Sequence, residues 1–317
     1  MQYLTLPLFG EIETARSILL AGAGGGFDIF SGLPLYFCLR SLGKQVHLAN
    51  LSFSLLPEAT GRRLRPDLLE VTAATQSGRN YFPEKYLAQW FVTQGEQQPI
   101  YCFNRTGVQP LLQIYQTLVD LLQVDAIILI DGGTDSLMRG DEPGLGTPEE
   151  DIASLVAVHQ LDLKTKLLVC LGFGVDTFHG VCQAYFLEAV SDLIARGGFL
   201  GTWSLSKDMP EVQRYREATE TVLRAMPSHP SIVSTSILSA LAGLFGDVQI
   251  NPRTGGSKLF INVLMTLYWC FRVDPVAQRL LYLDEVLQTQ TSGDITRALG
   301  HFRSKLPLKK AWIDLPM

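Results

Sequence analysis

Unbroken aliphatic runs that stop at glycine or aspartate, alternating with segments whose apolar residues recur every three or four positions, predict an α/β fold with a doubly wound, mostly parallel sheet. Two runs carry most of that weight. Ala126–Ile130 ends in Asp131-Gly132-Gly133, and Lys166–Leu171 ends in Gly172-Phe173-Gly174. A strand apolar on both faces must be covered on both, which requires crossover helices and gives a Rossmann-like three-layer sandwich.

The elements follow in order. Ser17–Ala21 is the first predicted strand; a glycine loop and a helix from about Ser31 follow it, with the Ser31 hydroxyl placed as a cap. Gln45–Ser52 is the second strand, Leu68–Ala74 the third and Tyr101–Asn104 a short fourth. Val108–Gln123 repeats Leu111, Leu112, Tyr115, Leu118, Val119 and Leu122, which is helical spacing. After the two central runs come a helix over Val181–Ala195, a strand over Gly198–Leu205, and helices over Met209–Met226 and Ser231–Phe245. Leu259–Phe271 is apolar, and its periodicity leaves strand and helix both open. No repeat, low-complexity tract or linker divides the chain. Residues 1–317 are therefore expected to form a single α/β domain with a helical C-terminal elaboration around 206–246.

Composition narrows the function classes. The 317 residues are 47% hydrophobic, 18% charged and 9% aromatic, and the net charge is −5. Nothing in that balance points to nucleic acid or an anionic membrane. The one basic run, Arg62-Arg63-Leu64-Arg65, is too short to track phosphates and reads as a solvated loop. Five scattered cysteines, without a Cys-x-x-Cys pair, argue for a reducing compartment and against a zinc site. The N-terminus has no basic leader, and the longest uncharged stretch, Pro230–Gly246, carries five hydroxyl side chains and falls short of the roughly 20 apolar residues of a membrane span. A cytoplasmic protein is expected.

Three strand-end loops hold the chemistry. The first, Gly22-Ala23-Gly24-Gly25-Gly26-Phe27-Asp28, opens towards Ser31, and Asn50 ends the neighbouring strand. Gly22, Gly24, Gly25, Gly26, Asp28, Ser31 and Asn50 are thus candidate ligand contacts, although the spacing departs from the dinucleotide fingerprint. The second is acidic: seven acids and one base between residues 131 and 151 give that stretch a charge of −6. Thr147 with Glu150 reads as a capping box, and Glu149 and Asp151 as helix-start acids. That leaves Asp131, Asp135, Asp141 and Glu142 as candidate ligands of Mg²⁺ or Mn²⁺, with Arg139 able to balance one, and Gly132, Gly133 and Thr134 as ligand contacts. The third, from Gly172 to Gly180, offers Gly174 as a contact and Asp176 with His179 as an acid–base pair. Asp131 and Asp135 are the other candidate catalytic groups.

On Gly24-Gly25-Gly26-Phe27-Asp28, Asp131-Gly132-Gly133-Thr134-Asp135 through Asp151, and Gly172-Phe173-Gly174-Val175-Asp176, the chain resembles the domain of unknown function 1152 family over most of residues 15–205. That resemblance implies a fold and no activity. Gly22-Ala23-Gly24, Ser31-Gly32-Leu33-Pro34 and Asp176-Thr177-Phe178-His179 are also similar to elements of the sirtuin and deoxyhypusine synthase class, which implies an NAD-like ligand; the zinc cysteines of sirtuins are absent. The leading expectation is an enzyme, a hydrolase or transferase, acting on a phosphorylated or ribose-containing, nucleotide-like small molecule with a cation's help. The alternatives are a non-catalytic nucleotide or dinucleotide sensor and a structural homo-oligomer.

Overall fold

The computed structural model describes residues 6–78, 81–248 and 254–315. A short helix, α1 (Pro7–Glu11), leads into β1 (Ser17–Gly22), then α2 (Asp28–Ser31), α3 (Leu33–Ser41) and β2 (Gln45–Leu51). Next come a hairpin of β3 (Arg62–Arg65) and β4 (Leu68–Val71), then α4 (Pro83–Thr93), β5 (Ile100–Phe103), α5 (Val108–Leu122) and β6 (Ala126–Asp131). The chain continues with α6 (Pro148–His159), β7 (Thr165–Leu171), α7 (Gln183–Ala195), β8 (Phe199–Ser204), α8 (Pro210–Ala225) and α9 (Ile232–Leu241). It closes with β9 (Leu267–Arg272), α10 (Val273–Ala277), α11 (Leu283–Val286) and α12 (Ser292–Lys305).

Among the described residues the strands make one nine-stranded sheet, ordered β3-β4-β5-β2-β1-β6-β7-β9-β8. Its five central strands, β5 to β7, pair in parallel, with Gly22 opposite both Asn50 and Ile130, and Asp131 opposite Cys170. The predicted three-layer α/β architecture stands, and its cause is visible in the core. Leu19, Ala21, Ile127 and Leu129 point to a layer containing α5, α6 and α7, while Ile18, Leu20, Ile128 and Ile130 point to one containing α3, α4 and α8. The period-two alternation along each strand thus feeds two apolar layers at once. The expected elaboration around 206–246 holds α8 and α9, and α8 packs on α3 and α4 in the second layer.

Four local expectations change. The third strand ends at Val71 and runs antiparallel to β5. Arg62–Arg65 is an edge strand on β4, not a loop, because pairing on one side only lets its side chains stay solvated. The ambiguous Leu259–Phe271 stretch holds a 3-10 turn over Val263–Thr266 and then β9, which slots antiparallel between β7 and β8. Ser31 caps no helix: α2 already starts at Asp28, Gly32 precedes α3, and the buried Ser31 Oγ has no hydrogen-bond partner.

Candidate active site

After β1 the chain moves out through β2 to β5, and it returns to place β6 and β7 on the other side of β1. The connections therefore diverge at the carboxyl ends of β1 and β6, where an open parallel sheet presents a crevice. A cavity of about 470 Å³ occupies that place, with Gly24, Asp28, Asp131, Asp135, Asp151 and Asp176 in its wall and Phe53, Tyr81, Arg105, Phe178, His179 and His229 around it. That volume suits a small-molecule ligand.

Five aspartates reach the crevice from five places. Asp28 opens α2, Asp131 ends β6, Asp135 begins a 3-10 turn, Asp151 lies in the first turn of α6, and Asp176 lies in the 3-10 turn after β7. Asp28 is partly exposed; the other four are buried. Backbone amides of the loops hold four of them. Gly24 N donates to Asp28 Oδ2 at 2.6 Å, and Ser136 N and Oγ donate to Asp131 Oδ2. Thr147 N and Oγ1 donate to Asp135 Oδ2 at 2.8 and 3.2 Å, and Thr134 N and Oγ1 donate to Asp176 Oδ2 at 2.5 and 3.2 Å. Asp151 differs: its buried Oδ1 has no hydrogen-bond partner.

This accounting redirects the glycine loop. The Gly24 amide is given to Asp28 and the Gly26 amide to Leu51 O at 3.0 Å, so neither is left for a phosphate. The absent side chains serve close approach instead. A Cβ on Gly24 would sit 2.7 Å from Asp151 Oδ1 and 2.8 Å from Asp28 Oδ2, and one on Gly133 would sit 2.6 Å from Asp176 Oδ2. These glycines let carboxylates crowd together.

Crowding has an electrostatic consequence. Burial, first, pushes the carboxyls of Asp28, Asp131, Asp151 and Asp176 well above the usual range, and repulsion from Asp135 pushes each further. Burial also raises Asp135, against the pull of the Thr147 amide and of His179. His179 acts electrostatically on Asp135, and Asp176 accepts from Thr134 at Oδ2. His179 stays exposed, with its ring 4.3 Å from that of Phe178.

Other expected site residues fall elsewhere. Asp141 takes both ends of the Arg139 guanidinium at 3.0 and 2.8 Å, and Glu142 accepts the amides of Arg139 and Gly140 at 3.0 and 2.8 Å. Both acids shape the loop and are not among the carboxylates that come together. The expected Thr147–Glu150 capping box does not form either: Thr147 serves Asp135, and Glu150 pairs with Arg105. Gly24, Gly25, Gly26, Asp28 and Gly132 line the cavity; Gly22, Ser31, Asn50, Gly133, Thr134 and Gly174 do not. Asn50 works from behind, donating to Gly26 O at 2.9 Å and to Glu84 Oε1 at 2.8 Å.

Two charged residues of the crevice, Asp151 and Arg105, were not assigned to it in the sequence. Asp151 looks like any acid at a helix start, and Arg105 like an isolated loop cation. Among the described residues Asp28, Asp131 and Asp151 each offer one oxygen, and the three oxygens lie within 4.8 Å of one another. Arg105 brings the one guanidinium in the described lining and stacks 5.3 Å over the Phe53 ring.

Behind the glycine loop, burial pushes the Glu84 carboxyl up to about 7 against the hydrogen bond from Asn50. A carboxyl raised in the folded state contributes stability that is complete below its ordinary value near 4.5 and is lost as pH rises through about 7. The swing is on the order of 3 kcal/mol. Glu84→Gln should therefore flatten the loss of stability between pH 5 and 8, measured by urea unfolding. An unchanged pH slope would show that Glu84 does not titrate there.

Fold and site together define an α/β protein with an acidic crevice at the switch point of its sheet. Residues 63–303 match the family model described as protein of unknown function DUF1152, and the chain belongs to that family. Asp131, Asp135, Asp151 and Asp176 fall inside the matched stretch, and Asp28 precedes it. No curated protein and no solved structure matches the chain. None of the described helices is long and apolar enough to cross a membrane, and all five cysteines are free.

Proposed function

We propose that the crevice is the active site of an enzyme, a hydrolase or transferase, acting on a phosphorylated or ribose-containing, nucleotide-like small molecule in a reducing compartment. The observation that carries this reading is the convergence of five desolvated aspartates at the switch point. Structural carboxylates are ordinarily paired with cations, whereas here Arg105 is the only guanidinium in the described lining and it pairs with Glu150. Desolvated, mutually raised carboxyls in a cleft are poised for proton transfer or for holding hydroxyls. In this reading Asp135, influenced by His179, is the acid–base group, and Arg105 receives the anionic end of the ligand. The aromatic residues around the opening suit a planar or ribose-bearing body. A phosphate could approach the acidic wall only with a counter-cation.

A panel of nucleotides, dinucleotides of the NAD kind and sugar phosphates, each with Mg²⁺ or Mn²⁺, tests the proposal by product formation beside calorimetry. His179→Ala should leave affinity within a few-fold and cut turnover by roughly 10²-fold. Binding without turnover in the wild type would make the protein a sensor. Full turnover in the variant would remove His179 from the mechanism.

A further inference from the structure

We infer that Asp28, Asp131 and Asp151 are the seat of one divalent cation of the Mg²⁺ or Mn²⁺ type. The inference deepens the proposed function by placing the counter-ion, and it differs from the acidic-loop set read in the sequence. Oxygens on opposite sides of a hard cation, each about 2.1–2.4 Å from it, stand about 4.2–4.8 Å apart. One oxygen from each of the three aspartates meets that limit. The donor set is all carboxylate, which selects a hard ion over a thiophilic one.

A second observation is independent of the clustering. Asp151 is 2% exposed, yet its Oδ1 has no hydrogen-bond partner. Buried carboxylate oxygens are normally satisfied, and the other four aspartates of the crevice accept hydrogen bonds from neighbouring loops. The bare oxygen is aimed at the same place as its neighbour's. The point where a Gly24 Cβ would lie is 2.7 Å from Asp151 Oδ1 and 2.8 Å from Asp28 Oδ2. A further orphan stands on the other side of Asp28: Ser31 Oγ, also buried and unpartnered, is 3.1 Å from the position of a Gly132 Cβ, and Asp28 Oδ1 is 2.8 Å from it.

The supporting contacts are those a cation site requires. Gly24 N fixes Asp28 through Oδ2, and Ser136 fixes Asp131 through Oδ2, so both carboxylates are oriented by their own loops. Ser154 Oγ, one turn beyond Asp151 on α6, donates to Ala23 O at 2.9 Å and ties that helix to the end of β1. Three elements are thereby held in register around a single point.

Calorimetric titration of the chelator-treated full chain with Mn²⁺ alone, without any organic ligand, tests the seat. One Mn²⁺ per chain is expected, weakened roughly 100-fold in Asp151→Asn and unchanged in Asp141→Asn, whose side chain is engaged by Arg139. Should Asp151→Asn fail to fold, Asp28→Asn reads the same seat. Absence of binding to the folded wild type, or equal affinity in the Asp151 and Asp141 variants, would overturn the inference. Mn²⁺ bound at this seat with no turnover of any nucleotide or sugar phosphate would leave the seat standing and sink the proposed enzyme instead.

Discussion

Asp131→Asn is expected to raise the stability of the cation-free protein at pH 8 and to abolish turnover. Asp131 ends a fully buried strand and faces repulsion from Asp135 and Asp28. Unit charges about 4 Å apart repel by about 4 kcal/mol at an effective dielectric of 20. Asparagine keeps an oxygen for the Ser136 donors and drops the charge, so a gain of about 1–3 kcal/mol should follow. The sign also fixes the pH dependence. A raised carboxyl costs nothing when protonated, so the gain should be largest at pH 8 and vanish near pH 4. Chemical denaturation at both pH values, beside an activity assay, reads both effects. A folded variant less stable than the wild type at pH 8 would make Asp131 a structural acceptor and end the repulsion argument.

Gly24→Val should have the opposite profile: stability lost, and cation affinity and turnover lost with it. Its Cβ would need the space now taken by oxygens of Asp151 and Asp28, 2.7 to 2.9 Å away. The carboxylates must swing apart, which dismantles the seat, and the overpacking costs about 1–3 kcal/mol. A loss of Mn²⁺ affinity of roughly 100-fold or more is expected in protein that is still folded at 20 °C by circular dichroism, a temperature ~30 degrees below the midpoint of an ordinary mesophilic domain. Gly300→Ala, in the middle of α12 with nothing within 4 Å of the added carbon, is the matched control and should bind as the wild type does. Normal Mn²⁺ affinity in Gly24→Val would show that the loop is not packed on the carboxylates that matter.

The architecture was legible in the sequence because its central strands are apolar on both faces. Ile127–Ile130 cannot be half-solvated, and only a sheet covered on both sides accommodates them. The edges were not legible, since an edge strand such as Arg62–Arg65 needs no apolar face, and β9 is entered from a turn that hides its start. The strand-end loops named in the sequence contribute to the cavity lining, whereas Asp141 and Glu142 stand outside it. Asp141, Glu142 and Asp151 are all acids of one stretch, and local patterns ranked them by their neighbours in sequence. Arg139 lies two residues from Asp141 and consumes it, whereas Asp151 is turned into the crevice by α6, a fact that only the packing of α6 on β6 decides. The glycines were read as room for a ligand's phosphate. In the structure Gly24 and Gly133 leave room for the protein's own carboxylates, and Gly25 and Gly26 for Leu51, Phe53 and Tyr81.

The arginine run bears on how this sheet ends. One margin, β8, is shielded by α1, with Phe9 against Trp203 at 5.8 Å between ring centroids. The opposite margin, β3, pairs with β4 alone among the described residues, and its outer backbone donors and acceptors could recruit a strand. There the register slips between Arg63 and Arg65, and Arg62 and Arg63 stand exposed. An incoming strand would have to bury guanidiniums and match an irregular ladder, so this margin disfavours edge-to-edge pairing.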